Sequence, residues 1–231
     1  MNYYEGDGIL NNREVSALEH YELLIDEGND PCRDPENLKK YMERWDGENF
    51  FKSLKLDSDK KVLEVGIGTG RVADKVLKKG IKEFVGIDIS TSTLKQAREN
   101  LKDFTNVNLF CKDICEYTQK EYFDIAYSVL TFMHIDDKEK AIQNMIYSLK
   151  PEGILVLSIS IDNENYIDYG SRIVKIYPTD VESYKIYLER NGCEIISELE
   201  NYDNIIWENG EKSDSYGDKI ATILVAKKIH N

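Results

Sequence analysis

Histidine is scarce in this 231-residue chain, with three, and cysteine and proline nearly so, with four each. The cysteines, Cys32, Cys111, Cys115 and Cys193, form no C-x-x-C pair and sit in no histidine cluster. That spacing excludes a recognisable metal-ligand pattern and leaves free, mostly buried thiols as the expectation. No apolar run approaches the ~20 residues of a membrane helix. Residues 1–8 are polar and acidic and lack a secretory-signal pattern, so the expected location is cytoplasmic. Positive charge is also short: 30 Lys and Arg stand against 43 Asp and Glu, a formal net charge of −13. Such a field repels a phosphate polymer unless a basic patch overcomes it, and no dense Lys/Arg block is present. The charge points to a small molecule, a peptide or another protein as partner, and leaves the oligomeric state open. The length suits one domain with a modest appendage.

What is present begins at residues 62–71, VLEVGIGTGR. The run KVLEV suits a buried parallel strand. Gly66, Gly68 and Gly70 follow at alternate positions, then Val72, Ala73, Val76 and Leu77 at helical spacing. Strand, glycine turn and helix make the first unit of a doubly wound nucleotide-binding sheet. The glycines permit a sharp turn and close approach of a ligand. The dinucleotide pattern G-x-G-x-x-G fails, because Arg71 stands where its last glycine belongs. The observed pattern is E-x-G-x-G-x-G, opening on Glu64.

Further along, 83–87 reads as a second strand ending in Gly86-Ile87-Asp88-Ile89-Ser90. An acid at the position of Asp88 can accept from both hydroxyls of a ribose. Ser90 or Thr91 then caps a helix. Residues 107–111 read as a third strand, followed by Lys112-Asp113-Ile114. Residues 122–129 read as the fourth strand, at the switch point of the sheet, so the segment from Ser128 to Ile135 faces the ligand. Asp136 with Glu139, and Thr179 with Glu182, read as capping boxes. Residues 150–153, KPEG, read as a turn before a fifth strand at 154–161. Residues 193–199 and 219–226 are the last two strands. The polar, tyrosine-rich connection at 162–178 exceeds an ordinary loop, which points to acceptor binding.

As a set, these motifs resemble the class I S-adenosylmethionine (SAM)-dependent methyltransferases, of the small stand-alone bacterial type, over residues 45–228. The late string L-K-P-E-G-I-L-V resembles the family's usual L-K-P-G-G, with Glu152 replacing a glycine. The resemblance implies a Rossmann-like, doubly wound α/β sheet of seven strands with a C-terminal antiparallel hairpin. The last strand would insert beside the fifth. It implies SAM as cofactor, S-adenosylhomocysteine as product and no metal. Glu64, Gly66, Gly68, Gly70 and Arg71 would form the first cofactor motif. Asp88 and Ile89 would serve the ribose, Asp113 the adenine amine and Ile114 the adenine ring. Ser128 would stand beside the reacting methyl.

Before the glycine motif, two helices are expected at 13–26 and after Asp34-Pro35, with Asp34 as N-cap. The resemblance implies a helical cap or lid over residues 1–46, ahead of a methyltransferase domain at 47–231. Residues 1–12, with Tyr3 and Tyr4 as anchors, are expected to be mobile. Aromatic faces of Tyr21 or Trp45 could hold the sulfonium cation, or simply pack the cap onto the core.

The expected reaction is methyl transfer to an oxygen nucleophile of a small molecule or peptide. His134 is a base for a hydroxyl, or a packing residue at the helix entry. Arg172 is a bidentate clamp for a carboxylate, such as a peptide C-terminus in natural-product biosynthesis. Amine N-methylation, SAM binding without transfer, NAD-dependent dehydrogenation and aminopropyl transfer from decarboxylated SAM are the other readings. No N-P-P-Y or D-P-P-Y string follows the fourth strand to support amide or base-amine methylation.

Overall fold

The structure is a computed structural model that describes residues 13–162 and 164–229. The expected mobile stretch with Tyr3 and Tyr4 lies outside the described residues. The described residues start with a short strand, β1 (Arg13–Val15), and three helices, α1 (Ala17–Asp26), α2 (Glu36–Met42) and α3 (Gly47–Ser53). There follow β2 (Lys61–Val65), α4 (Arg71–Leu77), β3 (Glu83–Asp88), α5 (Thr91–Asn100), β4 (Val107–Cys111) and β5 (Phe123–Val129). A 3-10 turn, Phe132–His134, leads to α6 (Lys138–Ser148) and β6 (Leu149–Ser160). The last elements are β7 (Tyr166–Asp168), β8 (Arg172–Lys175), α7 (Val181–Arg190), β9 (Cys193–Tyr202) and β10 (Lys219–Lys228).

Seven strands form the main sheet in the order β4-β3-β2-β5-β6-β10-β9. Neighbours through β6 are parallel, and β10 runs antiparallel to both β6 and β9. The hairpin and the insertion of the last strand beside β6 agree with the expectation. Successive residues of a strand face opposite sides. Val62, Ile125, Tyr127 and Ile223 therefore pack with α3 and α4, through Phe50, Val72 and Val76. Leu63, Ala126 and Leu224 pack with α6 and α7, through Ile142, Met145 and Leu188. Two covered faces explain why these strands read as continuous apolar runs. The order reverses between β2 and β5, and the cleft for a ligand opens there, beyond the strands' carboxyl ends.

Several local expectations are corrected. The first helix starts at Ala17, because Ser16 accepts from Glu19 N at 3.1 Å and caps it. Helix α2 follows the extended Pro35, and Asp34 makes no cap. Asp137, not Asp136, caps α6 by accepting from Lys140 N at 2.9 Å. Asp180, not Thr179, caps α7 by accepting from Ser183 N at 2.9 Å. In these last two helices the aspartate one residue further on is the one placed to accept from the first turn. The expected turn at 150–153 is absorbed as an irregularity within β6. There Glu152 holds φ at 66°, the left-handed conformation that suits the glycine of the family string. Of the cysteines, Cys193 is buried, Cys32 and Cys115 are half-buried and Cys111 is exposed.

The connection at 162–178 is not a plain loop. Strands β7 and β8 form a hairpin, and β1 adds to it in parallel, with Arg13 opposite Arg172. This small sheet joins β1, ahead of α1, to the excursion after β6. A second tie joins the segment after α2 to the β9–β10 loop. Arg44 pairs with the buried Asp203 and lies over the rings of Tyr41 and Trp45, at 3.7 and 4.5 Å. Tyr41 also stacks on Trp207.

Candidate active site

The glycine turn is held against β3: Gly66 N and Ile67 N both donate to Ile87 O, at 2.8 and 3.2 Å. Gly66, Gly68 and Gly70 have φ of 75°, 55° and 95°, a region that L-residues avoid. A Cβ on Gly66 would overlap the Thr131 side chain, so glycine is what lets the β5 loop close on the turn. Asp88 ends β3 and fixes the turn from the other side. Its Oδ2 accepts from Gly68 N at 2.8 Å and its Oδ1 from Ser90 N at 2.9 Å. Burial still pushes its carboxyl above the usual range, against the pull of these hydrogen bonds.

These elements border a cavity of about 460 Å³, within the range of small-molecule sites. Glu64 lies at its floor, buried, accepting from Tyr127 Oη at 2.9 Å. Burial raises the Glu64 carboxyl well above its ordinary value, with Arg71 opposing the rise. Arg71 makes an ion pair with the buried Asp46 at 2.8 Å. Its second terminal nitrogen, Nη1, is buried and has no hydrogen-bond partner among the described residues. Asp113 and Ile114 line the far wall after β4, and Ile89 lines the near one.

Helix α1 closes the cavity through Ala17 and Tyr21. It is latched to α5. Glu22 accepts from Ser90 Oγ at 2.8 Å and Ser92 N at 3.2 Å. Beyond α1, Asp30 accepts from Gln96 Nε2 at 3.0 Å and from Asn100 Nδ2 at 3.1 Å. The Tyr21 hydroxyl meets His134 Nε2 at 3.0 Å across the cavity wall. Burial, helped by the nearby His20 and Lys138, lowers the His134 imidazole to about 4, so the ring is neutral at pH 7.

Four residues read as site residues do not reach this cavity. Gly70 turns into α4 with its missing side chain facing Leu101. Ser128 is buried and spends its hydroxyl on Val65 O at 2.8 Å. Trp45 packs edge-on against Tyr41 beneath Arg44. Arg172 is a bidentate clamp, but for this chain's own Glu27, at 2.6 and 2.9 Å. Its Nε donates to His20 Nδ1 at 2.8 Å. Parallel pairing of β8 with β1 carries Arg172 under α1 and away from the cavity. Replacing Arg172 with Ala should therefore lower the melting temperature by a few degrees and leave SAM affinity unchanged; a normal melt with lost affinity would contradict this placement.

Thr131, Lys112 and Leu130 also line the cavity and were not singled out as residues. Their signal was only membership of segments that follow β4 and β5. Leu130 holds φ at 55°, a strained conformation for a non-glycine residue beside a site. Among the described residues, no group of three or more His, Cys, Asp or Glu is placed to hold a metal ion. No helix among them is long and apolar enough to cross a membrane.

Comparison with known proteins agrees with this geometry. Residues 62–153 match a methyltransferase-domain family model. The chain is 30% identical over 118 residues to malonyl-[acyl-carrier protein] O-methyltransferase 1 of Ilyobacter polytropus, covering 51% of this chain and 44% of that protein. It is 29% identical over 182 residues to a carboxy-S-adenosyl-L-methionine synthase of Helicobacter pylori, covering 74% of this chain and 72% of that protein. Its fold matches a crystal structure of a putative S-adenosylmethionine-dependent methyltransferase from Listeria monocytogenes, with a TM-score of 0.70 at 20% identity. That match covers 82% of this chain and 100% of the other. Residues 62–153 are thus similar to a methyltransferase domain, on a fold shared with a solved S-adenosylmethionine-dependent methyltransferase. The chain spans less than half the length of the malonyl relative.

The cavity fits that cofactor on its own terms. The unpaired Arg71 nitrogen suits a carboxylate, and Glu64 suits an ammonium. A Cβ on Gly68 would meet no atom within 4 Å, so the turn leaves open space above its backbone.

Proposed function

We propose that the protein transfers the methyl group of SAM to a hydroxyl oxygen of a small molecule or peptide. The observation that carries the choice is the neutral His134 at the cavity wall, hydrogen-bonded to Tyr21, with Arg172 engaged elsewhere. A carboxylate acceptor needs a cation to orient it. The cations that line the cavity, Arg71 and Lys112, belong to the glycine turn and to the segment after β4. The relative named as an O-methyltransferase supports oxygen as the methylated atom.

In this reading Asp88 holds the ribose hydroxyls, Asp113 and Ile114 the adenine, Glu64 the amino group and Arg71 the carboxylate of SAM. When bound, SAM supplies an electrophilic methyl on a sulfonium cation. The face of Tyr21 stabilises a cation without offering a reactive nucleophile. Helix α1 excludes water, and the closed wall aligns the acceptor; alignment is worth more here than base strength.

The test is incubation with methyl-labelled SAM and paired libraries of hydroxyl and carboxylate compounds, peptides included. Label that survives mild alkali marks an ether and supports the proposal. Label released as methanol marks an ester and rejects it in favour of the carboxylate. Mass spectrometry of the recovered cofactor reads a further outcome: the likeness to a carboxy-S-adenosyl-L-methionine synthase spans 74% of this chain, and an altered cofactor would mean that SAM itself is the substrate.

A further inference from the structure

His134 lines the cavity beside Tyr21, and its two ring nitrogens differ in what they meet. Nε2 is covered by the Tyr21 hydroxyl at 3.0 Å. Nδ1 is shut off from solvent and has no hydrogen-bond partner among the described residues. Tyr21 itself lines the cavity. Burial, with the nearby Tyr169 and the negative field of Asp88, raises the phenol and keeps it protonated. In the tautomer that carries its proton on Nδ1, Tyr21 O–H donates and His134 Nε2 accepts, and this is the arrangement taken here. The lone pairs of the Tyr21 oxygen then remain for a ligand.

Resting on the hydroxyl reading above, we infer that the Tyr21 hydroxyl is the group that meets the acceptor's O–H, and that His134 receives the proton only through it. The acceptor oxygen forms its bond to the methyl carbon, and the methyl–sulfur bond returns its electron pair to sulfur. The acceptor's proton goes to Tyr21 Oη as the proton of Tyr21 moves to His134 Nε2. One positive charge leaves sulfur and one appears on the imidazole, so charge balances. A base as weak as this imidazole does not deprotonate an alcohol in advance. It does take a proton from an oxygen already bearing the incoming methyl, because such an oxonium is a far stronger acid than imidazolium. The proton therefore moves with or after the methyl.

The cap also positions this pair. His20 packs edge-on against Tyr21, with ring centroids 5.1 Å apart, and is itself held by Arg172. Tyr169 lies on the other side of His20, 4.1 Å between centroids. The groups that set the imidazole's field are thus His20 from α1 and Lys138 from α6. Arg172 acts on the site at one remove, through His20 and Tyr21.

The test has two arms. In the cofactor-free protein with 15N-labelled histidine, His134 should show a single tautomer, with the proton on Nδ1 and Nε2 accepting. In Tyr21→Phe the tautomers should mix and the titration midpoint should rise, since a hydrogen bond favouring the neutral ring is lost. A spectrum and midpoint unchanged by Tyr21→Phe would overturn the relay alone. In the second arm, Tyr21→Phe and His134→Gln should each lower kcat on a hydroxyl acceptor by about 100-fold or more. The double variant should be no slower than either, with SAM still bound. A slow His134→Gln beside a fast Tyr21→Phe would overturn the relay and make His134 a direct base. Turnover of carboxylates alone would overturn the relay together with the hydroxyl reading, while leaving the tautomer result intact.

Discussion

Calorimetric titration of the Asp88→Ala protein with SAM should show affinity lower by about 100-fold or more, with the fold retained. The carboxylate of Asp88 already accepts one backbone N–H on each oxygen, from Gly68 and from Ser90. Each oxygen keeps further acceptor capacity, directed at the cavity it lines. A hydrogen bond to a charged group is worth about 1.5–3 kcal/mol, so losing two to a ribose amounts to roughly 3 kcal/mol at least. Each 1.4 kcal/mol is about tenfold in affinity. The helix after Asp88 keeps its own cap, because Ser90 Oγ still accepts from Thr93 N at 3.1 Å. Gly68 loses its anchor, so some of the affinity loss comes from a looser turn. Asp88→Asn keeps one carbonyl acceptor and should fall between the two. Wild-type affinity in Asp88→Ala would place the ribose elsewhere.

The residues that could be read in advance are those whose roles are local. Strands β2 and β5 are buried on both faces, and that condition writes itself into consecutive apolar letters. Alternate glycines after a strand announce left-handed backbone, as found at Gly66, Gly68 and Gly70. Asp88 could be located because it ends β3, and Asp113 because it follows the end of β4 by two residues. What was not legible depends on partners far off in the chain. Arg172 looks like a ligand clamp until Glu27 and His20 are seen beside it. Trp45 looks like a lid aromatic until Tyr41 and Arg44 are seen to enclose it. The excursion at 162–178 hid two strands, because three- and four-residue strands carry too little alternation to register. His20 was passed over for a similar reason: nothing in its neighbourhood announces an arginine 152 residues away.

Gly66 and Gly68, two residues apart in the turn, should fail in different ways when given a methyl group. Both hold positive φ, so alanine at either place carries about 1–2 kcal/mol of backbone strain. At Gly66 the new Cβ also overlaps Thr131, whose hydroxyl is tied to Val129 O at 3.1 Å and cannot swing freely. Overpacking of this kind adds about 1–3 kcal/mol. Gly66→Ala should therefore lose roughly 2–5 kcal/mol of stability in urea denaturation. Thr131→Gly in the same chain should recover part of it, since the overlap disappears and the strain stays. At Gly68 the Cβ meets no protein atom within 4 Å, and the residue lines the cavity. Gly68→Ala should lose only the about 1–2 kcal/mol of backbone strain in urea denaturation, yet bind SAM at least about tenfold more weakly, as a methyl filling ligand space forfeits about 1.4 kcal/mol or more. A Gly68→Ala protein that binds normally would show that the cofactor does not pass over this turn, and equal instability in both variants would show that φ alone governs them.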